Sequence, residues 1–190
     1  GDVRIFQKDP NIIWVGTGEE CGRNSAAWGD GVYKSTDGGK TFTHVGLKES
    51  FNIGSIVLHP TDPNIAYVAA VGSIYRKGGE RGLYKTIDGG KTWTKLTSNL
   101  PADDGWTGAI EARMDPTNPN VLYVGFWERK RTAWNLDSGG ANGGVFKTTD
   151  GGKTFKKLTK GLPAGKTGKI GLAVSRSNPK VVMAHIEAEF

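Results

Sequence analysis

Apolar residues in this chain fall in short runs. Residues 12–15, 65–71, 121–127 and 181–186 are rich in β-branched and aromatic side chains and are nearly unbroken by polar positions. Runs of that length predict β-strands covered on both faces, because an alternating pattern would be expected if one face met water. Each run follows a proline turn: Asp9-Pro10-Asn11, Asp62-Pro63-Asn64, Asn118-Pro119-Asn120 and Asn178-Pro179-Lys180. Proline presets the turn, and the Asn or Asp beside it can bond its own backbone. A further strand is predicted ahead of each turn, at residues 3–8, 54–59, 109–114 and 169–174. No window carries a helical period.

A second pattern lies downstream of each of the first three runs. Residues 31–42 (GVYKSTDGGKTF), 82–93 (GLYKTIDGGKTW) and 144–155 (GVFKTTDGGKTF) are near copies, separated by 51 and 62 positions. The apolar start of each copy suits a strand, and the Asp-Gly-Gly that follows suits a tight turn. There Asp accepts from backbone N–H groups just ahead of it and Gly supplies positive φ. The aromatic that closes each copy opens another strand, at 41–45, 92–96 and 154–158. Each unit is then four antiparallel strands with two apolar faces, the pattern of a propeller blade, which packs on two neighbours. The predicted fold class is an all-β propeller fragment, with blades at 1–50, 51–105 and 106–165 and half a blade at 166–190. Three and a half blades cannot close a ring. Either the remaining blades of a longer chain or a second copy is expected to complete it, and the start at Gly1 within a strand favours the longer chain.

Composition fits this picture. Twenty-nine glycines and eight prolines belong to turns, because the glycines recur at repeat positions. The net charge of +6 invites a nucleic-acid reading, but Lys34, Lys40, Lys85, Lys91, Lys147 and Lys153 occupy equivalent repeat positions and are expected on solvated turns. No nucleic acid is expected as a partner. Cys21 is the sole cysteine, so no disulfide can form within these residues, and His44, His59 and His185 show no metal spacing. No metal, cofactor or membrane span is expected. The Gly-Gly-Lys-Thr of each copy lacks the upstream Gly and downstream helix of a phosphate loop.

Function is expected on the face where connections vary in length. The connection at 18–30 carries Glu19, Glu20, Arg23, Asn24 and Trp28, and the one at 72–81 carries Arg76. The longest, 128–143, carries Glu128, Arg129, Arg131, Trp134 and Asp137, with Trp127 just before it; Trp106 lies in a connection between blades. Glu111 and Arg113 sit in a channel-lining strand, where charge must be paired or wet. Tryptophans beside carboxylates suit carbohydrate. Two acids about 5 to 9.5 Å apart could cleave a glycosidic bond, and the candidates are Glu19, Glu20, Glu111, Glu128 and Asp137. The candidate ligand contacts are Arg23, Asn24, Trp28, Arg76, Trp106, Arg113, Trp127, Arg129, Arg131 and Trp134.

The three copies resemble the Asp-box, or BNR, repeat, and that resemblance implies a structural clamp at Asp37, Asp88 and Asp150. With Trp14-Val15-Gly16-Thr17-Gly18-Glu19, the stretch 28–41 and Arg81-Gly82-Leu83-Tyr84-Lys85-Thr86, the whole chain is similar to large bacterial sortilin-like proteins called glycosyl hydrolases with BNR repeats. The resemblance implies export (secreted, periplasmic or at the cell surface) and a scaffold binding protein or polysaccharide. The alternative is a glycoside hydrolase of the xyloglucan-cleaving kind, although the first catalytic aspartate of those enzymes has no match here. The arginine triad of sialidases is likewise unmatched.

Overall fold

The computed structural model describes residues 1–20 and 25–188. Cys21, Arg23 and Asn24 lie outside the described residues. Among the described residues, fifteen strands and a single 3-10 turn, Lys48–Ser50, make up the regular structure. In the first sheet β1 (Asp2–Ile5), β2 (Ile13–Gly16), β3 (Val32–Ser35) and β4 (Thr43–His44) pair in chain order. The second repeats this with β5 (Ile53–Leu58), β6 (Ala66–Ala70), β7 (Gly82–Thr86) and β8 (Thr94–Leu96). In the third, β10 (Leu122–Arg131) pairs with β9 (Thr107–Met114) and β12 (Gly144–Thr148), and β13 (Lys156–Leu158) pairs with β12. The last sheet holds β14 (Thr167–Val174) and β15 (Val182–Ala188). All pairings are antiparallel, as in blades of a propeller.

Two expectations are corrected. Residues 128–143 do not form a plain loop: β10 runs on to Arg131 and β11 (Leu136–Ser138) pairs back along it. The closing strands are also shorter than expected, down to two residues in β4.

The apolar runs are buried on both faces because alternate side chains serve different cores. From β6, Ala66, Val68 and Ala70 enter the core shared with the first sheet, around Trp14 and Ile56. Tyr67 and Ala69 enter the core shared with the third, around Leu122 and Phe146. A third core, holding Tyr123, Trp127, Ile170 and Leu172, joins the third and fourth sheets. Trp14 is fully buried and edge-on to Trp93 at 6.2 Å; removing such a side chain costs about 3–5 kcal/mol.

Each Asp box closes by the same bonds. Ser35 Oγ donates to Asp37 Oδ1 at 2.7 Å and accepts from Gly39 N–H, while Thr41 donates its N–H to Oδ1 at 3.0 Å and its hydroxyl to Oδ2 at 2.6 Å. Thr86, Asp88, Gly90 and Thr92 repeat this, as do Thr148, Asp150, Gly152 and Thr154. The first box glycine donates to the proline turn beside it: Gly38 to Asn11 O, Gly89 to Asn64 O, Gly151 to Asn120 O. The second must be Gly for a tertiary reason as well. A Cβ on Gly90, at φ +96°, would lie 3.0 Å from Val45 and 3.3 Å from the Trp14 ring of the preceding sheet.

Three repeat lysines are not the freely solvated turn residues expected above. Lys34 lies 4.6 Å over the Trp14 ring and donates to Gly89 O in the next sheet's box; Lys85 lies 5.1 Å over Tyr67 and donates to Gly151 O at 2.9 Å. Lys147 lies 5.1 Å over Tyr123. Burial lowers the pKa of Lys34 and Lys85, with Asp150 opposing it at Lys85.

Candidate ligand-binding face

Opposite the Asp boxes, the irregular connections bond to one another into a continuous surface. Gly29 N–H donates to Phe51 O at 2.7 Å, Glu80 N–H to Glu49 O, Gly78 N–H to Gly105 O, and Arg131 N–H to Ile74 O. Asn142 donates to Asp104 across to the long hairpin, and Ser138 to Glu187 in β15. Loops tied this way hold side chains in place, which a recognition surface requires.

The second connection is built around Arg81, which is 2% exposed. All five of its N–H donors meet backbone carbonyls: Nε bonds Gly78 O, Nη1 bonds Val71 O and Trp106 O, and Nη2 bonds Ser73 O and Arg76 O. Burial lowers its pKa to about 10, against the pull of Asp104 and Asp103, so it stays charged at neutral pH. Arg81 therefore shapes the turn that carries Arg76.

Arg76 lies over two rings, with its guanidinium carbon 4.9 Å from Trp28 and 5.0 Å from Phe51. Those rings meet edge to face at 5.9 Å, yet Trp28 is 54% exposed. Phe51 holds an unusual backbone, φ 56° and ψ −51°, closed by a bond from Asn52 N–H to Ser50 O. That is a γ-turn of the rare, strained hand, a geometry that persists only when its surroundings impose it. Trp106 is half-buried, with Lys130 5.6 Å over its ring. Trp134, at the tip of the long hairpin, is 90% exposed.

Carboxylates converge at a second point. Arg113 Nη1 lies 2.6 Å from Glu111 Oε1, and Nη2 donates to Oε2 at 3.1 Å, a two-point pair. Arg113 borders a cavity of about 620 Å³ lined by β1, β5, β9 and β14. Burial pushes the Glu111 carboxyl up, against Arg113, Ser55 and the Ala112 N–H, and the Glu20 carboxylate pushes the same way. Glu20 is itself bonded by Lys169 Nζ at 3.2 Å, and its backbone carbonyl by Arg129. One observation weakens a catalytic reading of Glu111. Asp2 and Arg4, at the same place in the first sheet, also pair at 2.9 Å, and Asp2 accepts from Ile56 N–H of the next inner strand. An acid at this position already has a structural use.

The other candidates divide by burial. Trp127 is 3% exposed, with its N–H on Ser138 and Arg129 over its ring at 4.5 Å, and it packs in the third core. Arg129 is buried with it. Asp137 is exposed and accepts from Asn135, Glu128 packs against Gly140, and Arg131 stands at the end of β10. Glu19 is exposed and donates its backbone N–H to Ala27 O. Phe51 and Arg81 were missing from the expected contacts. Arg81 had no local signal, because its partners are backbone atoms, and at Phe51 the flanking Ser50 and Asn52 mark a turn but not which ring the phenylalanine meets.

The chain is 26% identical to a protein of Neosartorya fischeri named "Probable oligoxyloglucan-reducing end-specific xyloglucanase", over 82% of this chain but 17% of that protein. Among solved structures, a GH74 enzyme of Niastella koreensis matches at 27% identity and TM-score 0.54, covering 82% of this chain and 22% of that one. An ancestral GH74 enzyme superposes at TM-score 0.68 with 22% identity over 99% of this chain and 22% of its own. The GH74 xyloglucanase of Xanthomonas campestris gives 0.57 at 18%, over 83% of this chain and 21% of its own. The chain thus spans about a fifth of the length of these relatives. The family model Sortilin-Vps10 (Sortilin, neurotensin receptor 3) matches residues 30–186, most of the chain, and the protein belongs to that family.

Proposed function

We propose that these residues form part of an exported Asp-box propeller whose variable face binds polysaccharide. The observation that carries this reading is Trp28, an indole fixed by Phe51 and Arg76 yet more than half exposed. A locked, exposed ring is a low-entropy stacking surface for a sugar face. The relatives named as xyloglucanases support the same ligand class. The rest of the ring comes from further blades of a longer chain. The test is titration of the protein with soluble polysaccharides, xyloglucan among them, followed by Trp fluorescence and calorimetry. Binding is expected, and Trp28→Ala should weaken it about tenfold, about 1.4 kcal/mol. Binding that Trp28→Ala and Trp134→Ala leave intact would place the ligand elsewhere.

A second reading, hydrolysis of the bound glycan, is favoured by one observation: Glu111, raised by burial, shares its surroundings with Glu20. Under it, Glu111→Gln in the complete protein abolishes release of reducing ends while glycan affinity persists. Unchanged release in that variant would leave Glu111 with the structural use seen at Asp2.

A further inference from the structure

We infer that Arg76 is the anion-recognising element of a subsite for a hexuronic acid residue, so that the polysaccharide bound at Trp28 is an acidic one. This rests on the polysaccharide reading above and narrows it. Arg4 and Arg113 are paired with carboxylates, and Arg81 spends every donor on carbonyls. Arg76 differs. Its guanidinium is held by ring contacts to Trp28 and Phe51 and makes no hydrogen bond or ion pair among the described residues. The carboxylate of Glu80, on the same connection, accepts from Glu49 N–H at 2.8 Å.

The surroundings hold that guanidinium from three sides. Arg81 fixes the Arg76 carbonyl at 2.6 Å, and Ser73 Oγ accepts the Arg76 N–H. Phe51 reaches it only through the strained γ-turn, which is imposed by Gly29 N–H on Phe51 O and by the buried Asn52, whose Nδ2 bonds Gly72 O. Strain of this kind persists only where the surroundings impose it, and marks sites where a side chain must be in one place. Here it places a ring under a cation. A planar fork of donors stacked on aromatics is preorganised for a planar carboxylate, which it can meet with two parallel bonds. A pyranose ring stacked on the open part of Trp28 would carry its C5 carboxylate toward that fork. A neutral sugar would leave the fork unused.

The experiment compares oligogalacturonate, the same oligosaccharide after chemical reduction of its carboxyl groups, and a xyloglucan oligosaccharide, each titrated into the protein and into Arg76→Gln and Arg76→Lys. Arg76 is exposed, so both variants retain the fold, which a thermal melt checks. The acidic ligand is expected to bind at least tenfold tighter than its reduced form. That preference should vanish in Arg76→Gln, largely vanish in Arg76→Lys, which lacks the fork, and shrink as salt rises. Phe51→Ala should reduce the preference while leaving Arg76 present. Equal affinity for the acidic and reduced forms, or a preference that survives Arg76→Gln, overturns the inference. If both forms and xyloglucan bind equally and Trp28→Ala weakens all three, polysaccharide binding stands and the assignment of Arg76 falls. If none binds, the polysaccharide reading itself fails.

Discussion

At the scale of a single residue, Arg81 shows how a charge can be buried without a counter-ion. Its five donors reach five carbonyls of one connection and its neighbour, so the cost of desolvation is offset by charge-assisted hydrogen bonds. Arg81→Met would leave those carbonyls facing an apolar chain, and a loss of about 3 kcal/mol is expected in urea unfolding. Arg81→Lys should recover less than half of that, since one ammonium cannot address five acceptors spread over a fork. Ligand affinity is expected to fall with either change, because the turn that carries Arg76 loses its anchor.

The Asp box sets behaviour at the scale of the element. Bonds from Thr41, with Ser35 and backbone N–H groups, hold the Asp37 carboxyl down at about 2, and Asp88 and Asp150 are held low by the equivalent threonines. A carboxylate depressed below its unfolded value near 3.8 contributes stability that is complete above that value and is lost as pH falls toward 2. Melting temperature is therefore expected to drop steeply between pH 4 and pH 2. In the triple variant Asp37→Asn, Asp88→Asn, Asp150→Asn, that drop should flatten while stability at pH 7 falls, as thermal melts across the range will report. Boxes were legible in the sequence because every bond in them spans four residues or fewer. β11 was not, because Leu136–Ser138 becomes a strand only by pairing with Arg129–Arg131 across a turn that carries no Gly or Pro.

For the whole molecule, the joints between sheets matter most. Lys34 and Lys85 each bridge an aromatic of their own sheet to a carbonyl of the next sheet's box, whereas Lys147 has the aromatic and no such carbonyl among the described residues. Lys85→Met keeps the stem and removes the charge, and should cost about 1–2 kcal/mol. Lys147→Met in the same chain should cost less than half as much. Equal losses in denaturant titrations would show that stem packing, and not the bridge, holds the sheets together. Among the described residues the fourth sheet has two strands, and β15 leaves Met183 65% exposed, whereas Trp14, Tyr67 and Tyr123, at the matching register position, are buried against the sheet that follows each of them.

The sequence alone determined strand order, turn chemistry and the blade pattern, because these depend on residues close together in the chain: a proline turn, an Asp four residues from its Thr, an apolar run too short for a helix. It also pointed to the face that carries Trp28 and Arg76. What only the tertiary structure decided was which side chains that face exposes. Trp127 and Trp28 look alike in sequence, and the fourth sheet buries one while Phe51 and Arg76 leave the other 54% exposed. Likewise Lys34 and Lys85 read as turn lysines until the next sheet brings an acceptor within reach. Burial and partnership across sheets arise from residues about 50 to 110 positions apart, and no local pattern encodes which of two similar side chains will meet them.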